Sequence, residues 1–319
     1  MGREQVSQRR FDVITIGDMC VDLVLDLGEV MPRFGQVEQW VPDYYLEMGG
    51  STCLFACQAA KLGLRTAILG RVGDDAYGEL VVRRLRESGV DTDRVVADSR
   101  LKTGLGVALC RAGGDRSILT YAGSLNAVYP SDVTDEFLSS ARHLHYGSYY
   151  LQTNLLPRAA EIMARAREFG LTVSLDTNWD PEGRWDGGLT QALAHVDVIL
   201  PNQQEALAIT GMTDVEDAVT ALLTRVPVVA VKLGERGSLA ATEGERSLVP
   251  VPPVARVVDT IGAGDSFDAG FLAGWLSGLS LAQSAAIGNA CGRATTQAAG
   301  GLQGQLLLPD IAHLRELIE

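Results

Sequence analysis

Residues 259–271 have the sequence DTIGAGDSFDAGF, which is the most informative stretch of the chain for its fold. Small residues occupy positions 262–264, directly before a run of large apolar residues. The apolar residues recur at helical spacing at Phe267, Phe271, Leu272 and Trp275. This spacing predicts a helix that begins near Gly264. Its first peptide N–H groups have no helical partner and carry partial positive charge, so an anion such as a transferring phosphoryl group can approach them.

Two aspartates flank these small residues, and each has two interpretations. Asp265 is either an ordinary carboxylate at the helix N-terminus or a base beside the anion pocket. A helix N-terminus stabilises the ionised form, so we expect the pKa of Asp265 to be lowered and the base to be weak. Asp259 binds a cation or the substrate in one interpretation and caps the preceding turn in the other.

Length and charge exclude several classes of protein. The chain has 319 residues, of which 46% are hydrophobic and 21% charged, enough for a large α/β domain with a substantial core. The net charge of −13 repels polyanions, so we expect no nucleic-acid partner. A small anionic ligand held by a few local N–H groups remains compatible with this charge.

Cysteine and histidine usage indicates neither a disulfide framework nor a metal centre. The five cysteines are scattered, and His143 and His145 on one strand are more often packed side chains than metal ligands. The N-terminus lacks a signal-like apolar run, and no 18-residue apolar stretch occurs. We therefore expect a cytoplasmic protein without a membrane partner.

Short apolar runs alternate with helical patterns along most of the chain, which predicts a mostly parallel sheet with helices on both faces. The predicted strands are 11–17, 65–73, 143–150, 171–178, 196–202 and 226–234, and the predicted helices are 53–62, 77–88, 156–169, 188–194 and 204–209. Two segments, about 36–48 and 103–121, read instead as strands with turn residues, including a hairpin turn at 112–115. These two segments predict a small β-sheet that projects from the main one.

Six short motifs occur in order along the chain. They are Gly17–Asp22, the Gly49-Gly50 pair that opens a helix, Gly70–Asp75, Asn202–Glu205, Val231–Gly234 with Gly237, and Asp259–Leu272. Together they resemble the PfkB, or ribokinase-like, carbohydrate kinase family. The resemblance implies ATP-dependent phosphorylation of a hydroxymethyl group. It also implies one ribokinase-like domain over residues 1–319, a three-layer sandwich in which the two β-rich segments form a lid.

The resemblance assigns the phosphoryl-transfer and sugar-binding roles to particular residues. Asp265 matches the base that takes the hydroxyl proton, and the N–H groups of Gly262, Ala263 and Gly264 match the anion hole. Asp22 matches the acid that binds substrate hydroxyls. The backbone at Gly49 and Gly50 matches the floor of the sugar site.

Cofactor-binding positions also follow from the resemblance. Asn202 and Glu205 match residues that organise Mg²⁺ through water near the ATP phosphates, although Glu205 is equally explained as a first-turn helix carboxylate. Lys232 and Gly234 match a nucleotide loop, where we expect mainly backbone contacts. A monovalent cation, K⁺, would take the Asp259 side chain and the Ile261 and Gly301 carbonyls as ligands.

Departures from the family pattern bear on the substrate. Leu54, Cys20 and Ser51 replace polar residues that ribokinases or many relatives carry, which argues against ribose. Trp40, Tyr44 and Tyr45 could cover the substrate, but aromatic residues at strand spacing more often pack, so we favour lid packing or a homodimer formed through the lid. A phosphorylated substrate would require several cations converging on one point. We take the cations at Arg33, Lys102, Arg111 and Arg116 as scattered and favour an unphosphorylated sugar.

The hypothesis that best explains these motifs is an ATP-dependent sugar kinase with Asp265 as its base. Two alternatives stay open: a nucleoside kinase of the same fold, and a catalytically silent sugar or nucleotide sensor. A Rossmann dehydrogenase is poorly supported, because no G-x-G-x-x-G motif follows the first strand.

Overall fold

A computed structural model describes residues 9–111 and 116–307 of the chain. The strands are β1 (Phe11–Ile16), β2 (Cys20–Asp26), β3 (Asp43–Gly49), β4 (Thr66–Gly73), β5 (Asp91–Asp98), β6 (Gly104–Cys110), β7 (Arg116–Tyr121), β8 (Ala141–Tyr146), β9 (Thr172–Leu175), β10 (Val198–Ile199), β11 (Val228–Lys232), β12 (Ser238–Ala241) and β13 (Arg246–Val249). The α-helices are α1 (Ser51–Lys61), α2 (Ala76–Glu87), α3 (Asp135–Ser139), α4 (Ala159–Glu168), α5 (Leu189–Leu193), α6 (Gln203–Thr210), α7 (Val215–Leu223), α8 (Ala263–Leu276) and α9 (Leu281–Thr295).

The main sheet has nine strands in the order β13-β12-β11-β10-β9-β8-β1-β4-β5. Its strands pair in parallel from β11 through to β5, whereas the two pairings at the other edge, β11 with β12 and β12 with β13, are antiparallel. The predicted mostly parallel sheet is therefore confirmed. Such a sheet places the carboxyl ends of its parallel strands at one edge, where open α/β sheets bind their ligands.

Both faces of the main sheet are buried under helices. Successive residues of β1 point to opposite faces, so Val13 packs in the cluster that contains α8, whereas Ile14 packs in the one that contains α4 and α7. Burial on both faces explains why the central strands are continuous apolar runs rather than alternating ones. The three-layer arrangement predicted from the sequence is confirmed.

A second sheet of four strands has the order β3-β2-β6-β7. Here the sequence-based boundaries of 36–48 and 103–121 need correction. Residues 20–26, which the sequence did not predict as a strand, form β2 between β3 and β6 and pair with both. Residues 36–42 are not in a strand. The hairpin turn predicted at 112–115 lies outside the described residues.

Several element ends also differ from the prediction. The expected strand 143–150 stops at Tyr146, and residues 149–151 form a turn. The helix expected from 156 opens with a 3-10 turn, Leu156–Arg158, before α4 begins. Pro157 lies in this turn, where its missing N–H costs no helical hydrogen bond. Within residues 9–111 and 116–307, no helix is long and apolar enough to cross a membrane.

Asp18, buried just after β1, ties the start of α1 to the main sheet. Its carboxylate accepts hydrogen bonds from the Thr52 N–H at 3.0 Å, the Thr52 hydroxyl at 2.6 Å, the Ser51 N–H at 3.2 Å and the Ser148 hydroxyl at 2.6 Å. Gly50 precedes α1 with φ of 88°, and a Cβ there would lie 1.9 Å from the Asp18 carbonyl oxygen. Only glycine fits this approach, which explains the Gly49-Gly50 pair.

Replacing this carboxylate should destabilise the whole domain. In Asp18→Ala, buried N–H and hydroxyl donors lose their acceptor, and we expect the free energy of unfolding to fall by about 3 kcal/mol. Urea unfolding followed by circular dichroism measures this loss. Asp93→Ala is the matched control, because the Asp93 side chain is 70% exposed and, among the described residues, pairs with Arg10 alone. Equal losses in the two variants would contradict the role given to Asp18.

Candidate active site

A cavity of about 430 Å³ lies between the two sheets, beside the first turn of α8. It brings together residues that are far apart in the chain. The predicted site residues that line it are Asp22, Gly50, Asn202, Glu205, Lys232, Gly234, Ile261, Gly262, Gly264 and Asp265. Gly49, Ala263, Asp259 and Gly301 are outside this lining but adjoin residues that belong to it.

The first turn of α8 forms one wall of the cavity. The helix begins at Ala263, one residue before the predicted start, and Gly262 is its N-cap with φ of 71°. No side chain in the described part of the chain caps this end of α8, and the Ala263 N–H makes only a long hydrogen bond of 3.4 Å to the Thr260 carbonyl oxygen. The first N–H groups of the helix can therefore reach a ligand. A Cβ on Gly262 would lie 2.9 Å from Leu54 Cδ1 and 3.0 Å from Gly301 Cα, which restricts this position to glycine.

Asp265 lines the cavity in this first turn, where its side chain is partly buried. Desolvation raises the pKa of Asp265 well above its usual range. The charge of Asp176 adds to the rise, while Lys232 and a hydrogen bond from Ser51 oppose it. The expectation that the helix terminus would lower this pKa is therefore wrong, because burial and neighbouring carboxylates outweigh the helix dipole. A carboxylate with a raised pKa is the stronger base.

The Lys232 side chain forms an ion-pair network within the protein, and the backbone contacts expected between its loop and the nucleotide stay a prediction. Its ammonium contacts Asp176 Oδ2 at 2.9 Å and both carboxylate oxygens of Asp268 at 3.1 Å. Asp176 directly follows β9, and Asp268 lies one helical turn after Asp265. Neither acid was predicted as a site residue. The signals in the sequence are the position of Asp176 after a strand and the position of Asp268 on the face of α8 that carries Asp265.

Asn202 and Glu205 cap the start of α6 reciprocally. The Asn202 side chain accepts from the Glu205 N–H at 2.9 Å, and the Glu205 carboxylate accepts from the Asn202 N–H at 2.8 Å. Burial, followed by the charge of Asp176, raises the pKa of Glu205 to about 7. The contacts of Glu205 are those of a helix-terminus carboxylate. The side chains of Asn202 and Glu205 also line the cavity.

Asp22 enters the cavity from the second sheet. It lies between two glycines of the neighbouring strands: a Cβ on Gly49 would lie 2.3 Å from Asp22 Oδ2, and one on Gly106 would lie 2.4 Å from Oδ1. Its carboxylate makes no hydrogen bond with any residue in the described part of the chain. Burial raises the pKa of Asp22 to about 6, with smaller contributions from the charges of Asp18 and Asp259.

The loop before α8 contacts the second sheet at two points. The Asp259 carboxylate accepts from the Tyr45 hydroxyl, from the Gly300 N–H at 3.0 Å and from the Ile261 N–H at 3.0 Å. The hydrogen bond from the Ile261 N–H is of the kind that a turn-capping carboxylate accepts. Arg116 donates to the Thr260 hydroxyl at 3.1 Å. The second sheet is therefore hydrogen-bonded to the segment that leads into the first turn of α8.

The remaining candidates lie elsewhere or have structural contacts. Of the four cations considered for a second anion site, Arg33, Lys102 and Arg111 do not line the cavity, and Arg116 does. His143 contacts the hydroxyls of Thr172 and Ser174, and His145 stacks on Phe55 with ring centroids 3.7 Å apart. No group of three His, Cys, Asp or Glu side chains in residues 9–111 and 116–307 is arranged to hold a metal directly.

A mostly parallel α/β sheet with a helix N-terminus in its cavity is an arrangement that can bind a small anionic group. Comparison with known proteins identifies the class of protein. Residues 10–305 match the model of the pfkB family of carbohydrate kinases, and the chain belongs to that family. It is therefore a phosphotransferase with an alcohol group as acceptor, as the motifs predicted.

Individual relatives agree with this assignment. The chain is 30% identical to fructokinase-1 of Zea mays over 326 residues, which covers 96% of this chain and 97% of the relative. It is 29% identical to a 5-dehydro-2-deoxygluconokinase of Geobacillus thermodenitrificans, covering 85% and 83%. The fold is similar to that of an Arabidopsis thaliana ribokinase solved with ribose and ATP, with a TM-score of 0.82, 24% identity, and coverage of 95% and 98%.

The glycine beneath Asp22 offers a test of this geometry. Gly106→Ala places a methyl group against Asp22 Oδ1 and should displace the carboxylate, so we expect the KM for the sugar acceptor to rise about tenfold. Steady-state kinetics with Mg²⁺-ATP measures the change. Gly244→Ala is the control, because a Cβ there meets nothing within 4 Å. A normal acceptor KM in Gly106→Ala would remove Asp22 from the acceptor site.

Proposed function

We propose that this kinase transfers the γ-phosphoryl group of ATP to a hydroxymethyl group of a sugar or sugar-like substrate, with Asp265 as the base. The observation that carries the proposal is the position of Asp265. Its carboxylate, with a raised pKa, lies in the uncapped first turn of α8 and in the same cavity as Asp22. A base and an anion-binding helix terminus at one point are what transfer to an alcohol requires.

ATP supplies an electrophilic γ-phosphoryl group, and the chain provides the rest of the chemistry. The oxygen of the acceptor hydroxyl forms a bond to the γ-phosphorus while the bond between that phosphorus and the ADP oxygen breaks. Asp265 accepts the proton that this hydroxyl loses. The N–H groups at Gly262, Ala263 and Gly264 stabilise the charge on the transferred group. The transition state of phosphoryl transfer is loose, so the proton can leave late.

The donor set on the nucleotide side suits Mg²⁺ and phosphate. Asn202, Glu205 and Asp176 offer amide and carboxylate oxygens, the ligands that Mg²⁺ prefers, and Mg²⁺ usually retains several waters. We propose that Asn202 and Glu205 hold this ion through water, and that Lys232 and Gly234 border the nucleotide. A potassium ion held by Asp259, Ile261 and Gly301 is proposed with them.

The lining of the cavity favours a sugar over a nucleoside. A nucleoside kinase needs an aromatic or apolar shelf for the base. No aromatic side chain is among the described residues that line the cavity, and the apolar side chains there are Leu54, Ala108, Ile118 and Ile261. Asp22 with the backbone at Gly49 and Gly50 offers hydrogen bonds to sugar hydroxyls. Relatives named as fructokinase and 5-dehydro-2-deoxygluconokinase support a sugar or sugar-like acceptor. The presence of Asp265, Asn202 and Glu205 argues against a silent sensor.

We propose that the second sheet is a lid that excludes water from the transferred phosphoryl group. Tyr45 and Arg116 connect this sheet to the loop before α8. The side chains of Trp40 and Tyr44 are 93% and 67% exposed, which supports a homodimer formed through the lid. The single-domain organisation and a cytoplasmic location stay predictions.

The role of Asp265 is tested by Asp265→Asn, which keeps the shape of the side chain but removes the base. We expect kcat to fall by at least about 10²-fold, with Mg²⁺-ATP affinity little changed. The assay is ADP release over a panel of free sugars, sugar acids, sugar phosphates and nucleosides, with calorimetry for nucleotide binding. Near-normal turnover in this variant would rule out the proposed mechanism.

The role of Glu205 is tested by Glu205→Gln, which removes a carboxylate from the Mg²⁺ side of the cavity. We expect the Mg²⁺ concentration for half-maximal rate to rise about tenfold, because one anionic partner of the ion's waters is lost. Titration of the rate with MgCl₂ at saturating ATP measures it. Gln283→Ala, which removes the capping side chain of α9, controls for the loss of a helix cap. An unchanged Mg²⁺ titration in Glu205→Gln would place Glu205 outside the metal's surroundings.

A further inference from the structure

Five ionisable side chains meet beneath the cavity, and only one of them is a cation. The four acids are Asp176, Glu205, Asp265 and Asp268, and the cation is Lys232. They come from the ends of β9 and β11, the first turn of α6, and α8. Because one lysine lies among four carboxyls, the position of the lysine ammonium decides which of these carboxyls are ionised.

The ammonium of Lys232 is held firmly. It contacts Asp176 at 2.9 Å and Asp268 at 3.1 Å, and the side chains of the three residues are 13%, 7% and 1% exposed. A Cβ on Gly264 would lie 3.5 Å from Lys232 Nζ. The ammonium therefore lies directly beside the first turn of α8, the turn that carries Asp265.

Asp268 anchors this ammonium without contributing another exposed charge to the cavity. It lies one helical turn after Asp265, faces the protein interior, and presents both carboxyl oxygens to Lys232. Burial raises the pKa of Asp268 well above its usual range. Asp176 is the other carboxylate partner of Lys232. The charge of Lys232 and the hydrogen bonds that Asp176 accepts lower the pKa of Asp176.

We propose that Lys232 is the counter-ion that keeps the Asp265 carboxylate ionised, and that Asp268 is a positioning residue that holds the Lys232 ammonium in place. This inference rests on the proposed role of Asp265 as the base. It assigns to the Lys232 side chain an electrostatic role in the reaction, in addition to bordering the nucleotide.

The groups that face Asp265 oppose each other. Asp176 after β9 and Asp18 after β1 raise its pKa, while Lys232 at the end of β11 and the Ser51 hydroxyl of α1 lower it; the Cys53 thiol of α1 faces it as well. Removing the ammonium leaves Asp176 without its cation. The pKa of Asp265 then rises further, and because the base works only when ionised, the acid limb of kcat/KM moves to higher pH.

A purely structural ion pair behaves differently. Replacing a buried ion pair with apolar residues of similar volume is often neutral or stabilising, whereas removing one partner strands a buried charge. The double variant Lys232→Met/Asp268→Leu removes the ammonium together with Asp268 but leaves the buried Asp176 without its cation. Lys232→Gln keeps N–H donors for both carboxylates and is therefore the variant expected to fold. If the pair were only structural, this variant would have the wild-type pH profile.

The experiment is the pH dependence of kcat/KM for wild type and for Lys232→Met/Asp268→Leu, with folding checked by the unfolding midpoint. We expect the acid limb to move upward by about one to three pH units, so that activity is lost at low pH and recovers at high pH. Lys232→Gln, which keeps N–H donors for both carboxylates, should shift in the same direction. Arg71→Met/Asp132→Leu removes a partly buried ion pair of 2.7 Å elsewhere and should leave the profile unmoved.

A readout independent of turnover is the ¹³C titration of the Asp265 carboxyl, assigned by its loss in Asp265→Asn. Its midpoint should rise in Lys232→Gln by the same amount as the acid limb. An unmoved acid limb and titration in the folded variants would overturn the inference while leaving Asp265 as the base. Turnover retained in Asp265→Asn would instead overturn the proposed function itself.

Discussion

The bare first turn of α8 is the feature on which the rest of the site depends. Its N–H groups reach the cavity because Gly262 carries no side chain and packs against Leu54 and Gly301 at distances that exclude a Cβ. The helix behind this turn is buried from Ser266 to Gly274, so the turn cannot move away from the sheets. A helix terminus that is fixed by packing and has no capping side chain presents its N–H groups to an anion without rearrangement.

Around this terminus the fold collects acids rather than bases, which is unexpected for a phosphate-handling site. Asp176, Glu205, Asp265 and Asp268 meet with one lysine, and Asp22 and Asp18 lie nearby. Their mutual repulsion and burial make the pKa of Asp265 high enough for a base. The same surplus of negative charge creates a demand for cations, which Lys232 meets within the chain and which Mg²⁺ would meet when nucleotide binds.

Much of this arrangement is predictable from sequence, and the errors have physical causes. The strand–helix rhythm and ordered motifs predict the parallel sheet, and ten of the predicted site residues line one cavity. Strand β2 was missed because its pairing with β6, more than 80 residues away in the chain, is tertiary. Asp176 and Asp268 were missed because their roles depend on contacts with Lys232, which lies on a different element of the fold. The pKa of Asp265 was predicted in the wrong direction because local sequence shows the helix dipole and not the burial.

The central claim is phosphoryl transfer to a primary hydroxyl with Asp265 as the base. The most direct test is ³¹P NMR of the protein incubated with Mg²⁺-ATP and an accepted sugar, recorded without proton decoupling. The account predicts ADP together with a new phosphomonoester resonance split into a triplet by the two protons of a CH₂–O–P group, and no such resonance with Asp265→Asn. Release of inorganic phosphate alone, or a phosphomonoester coupled to a single proton, would contradict it.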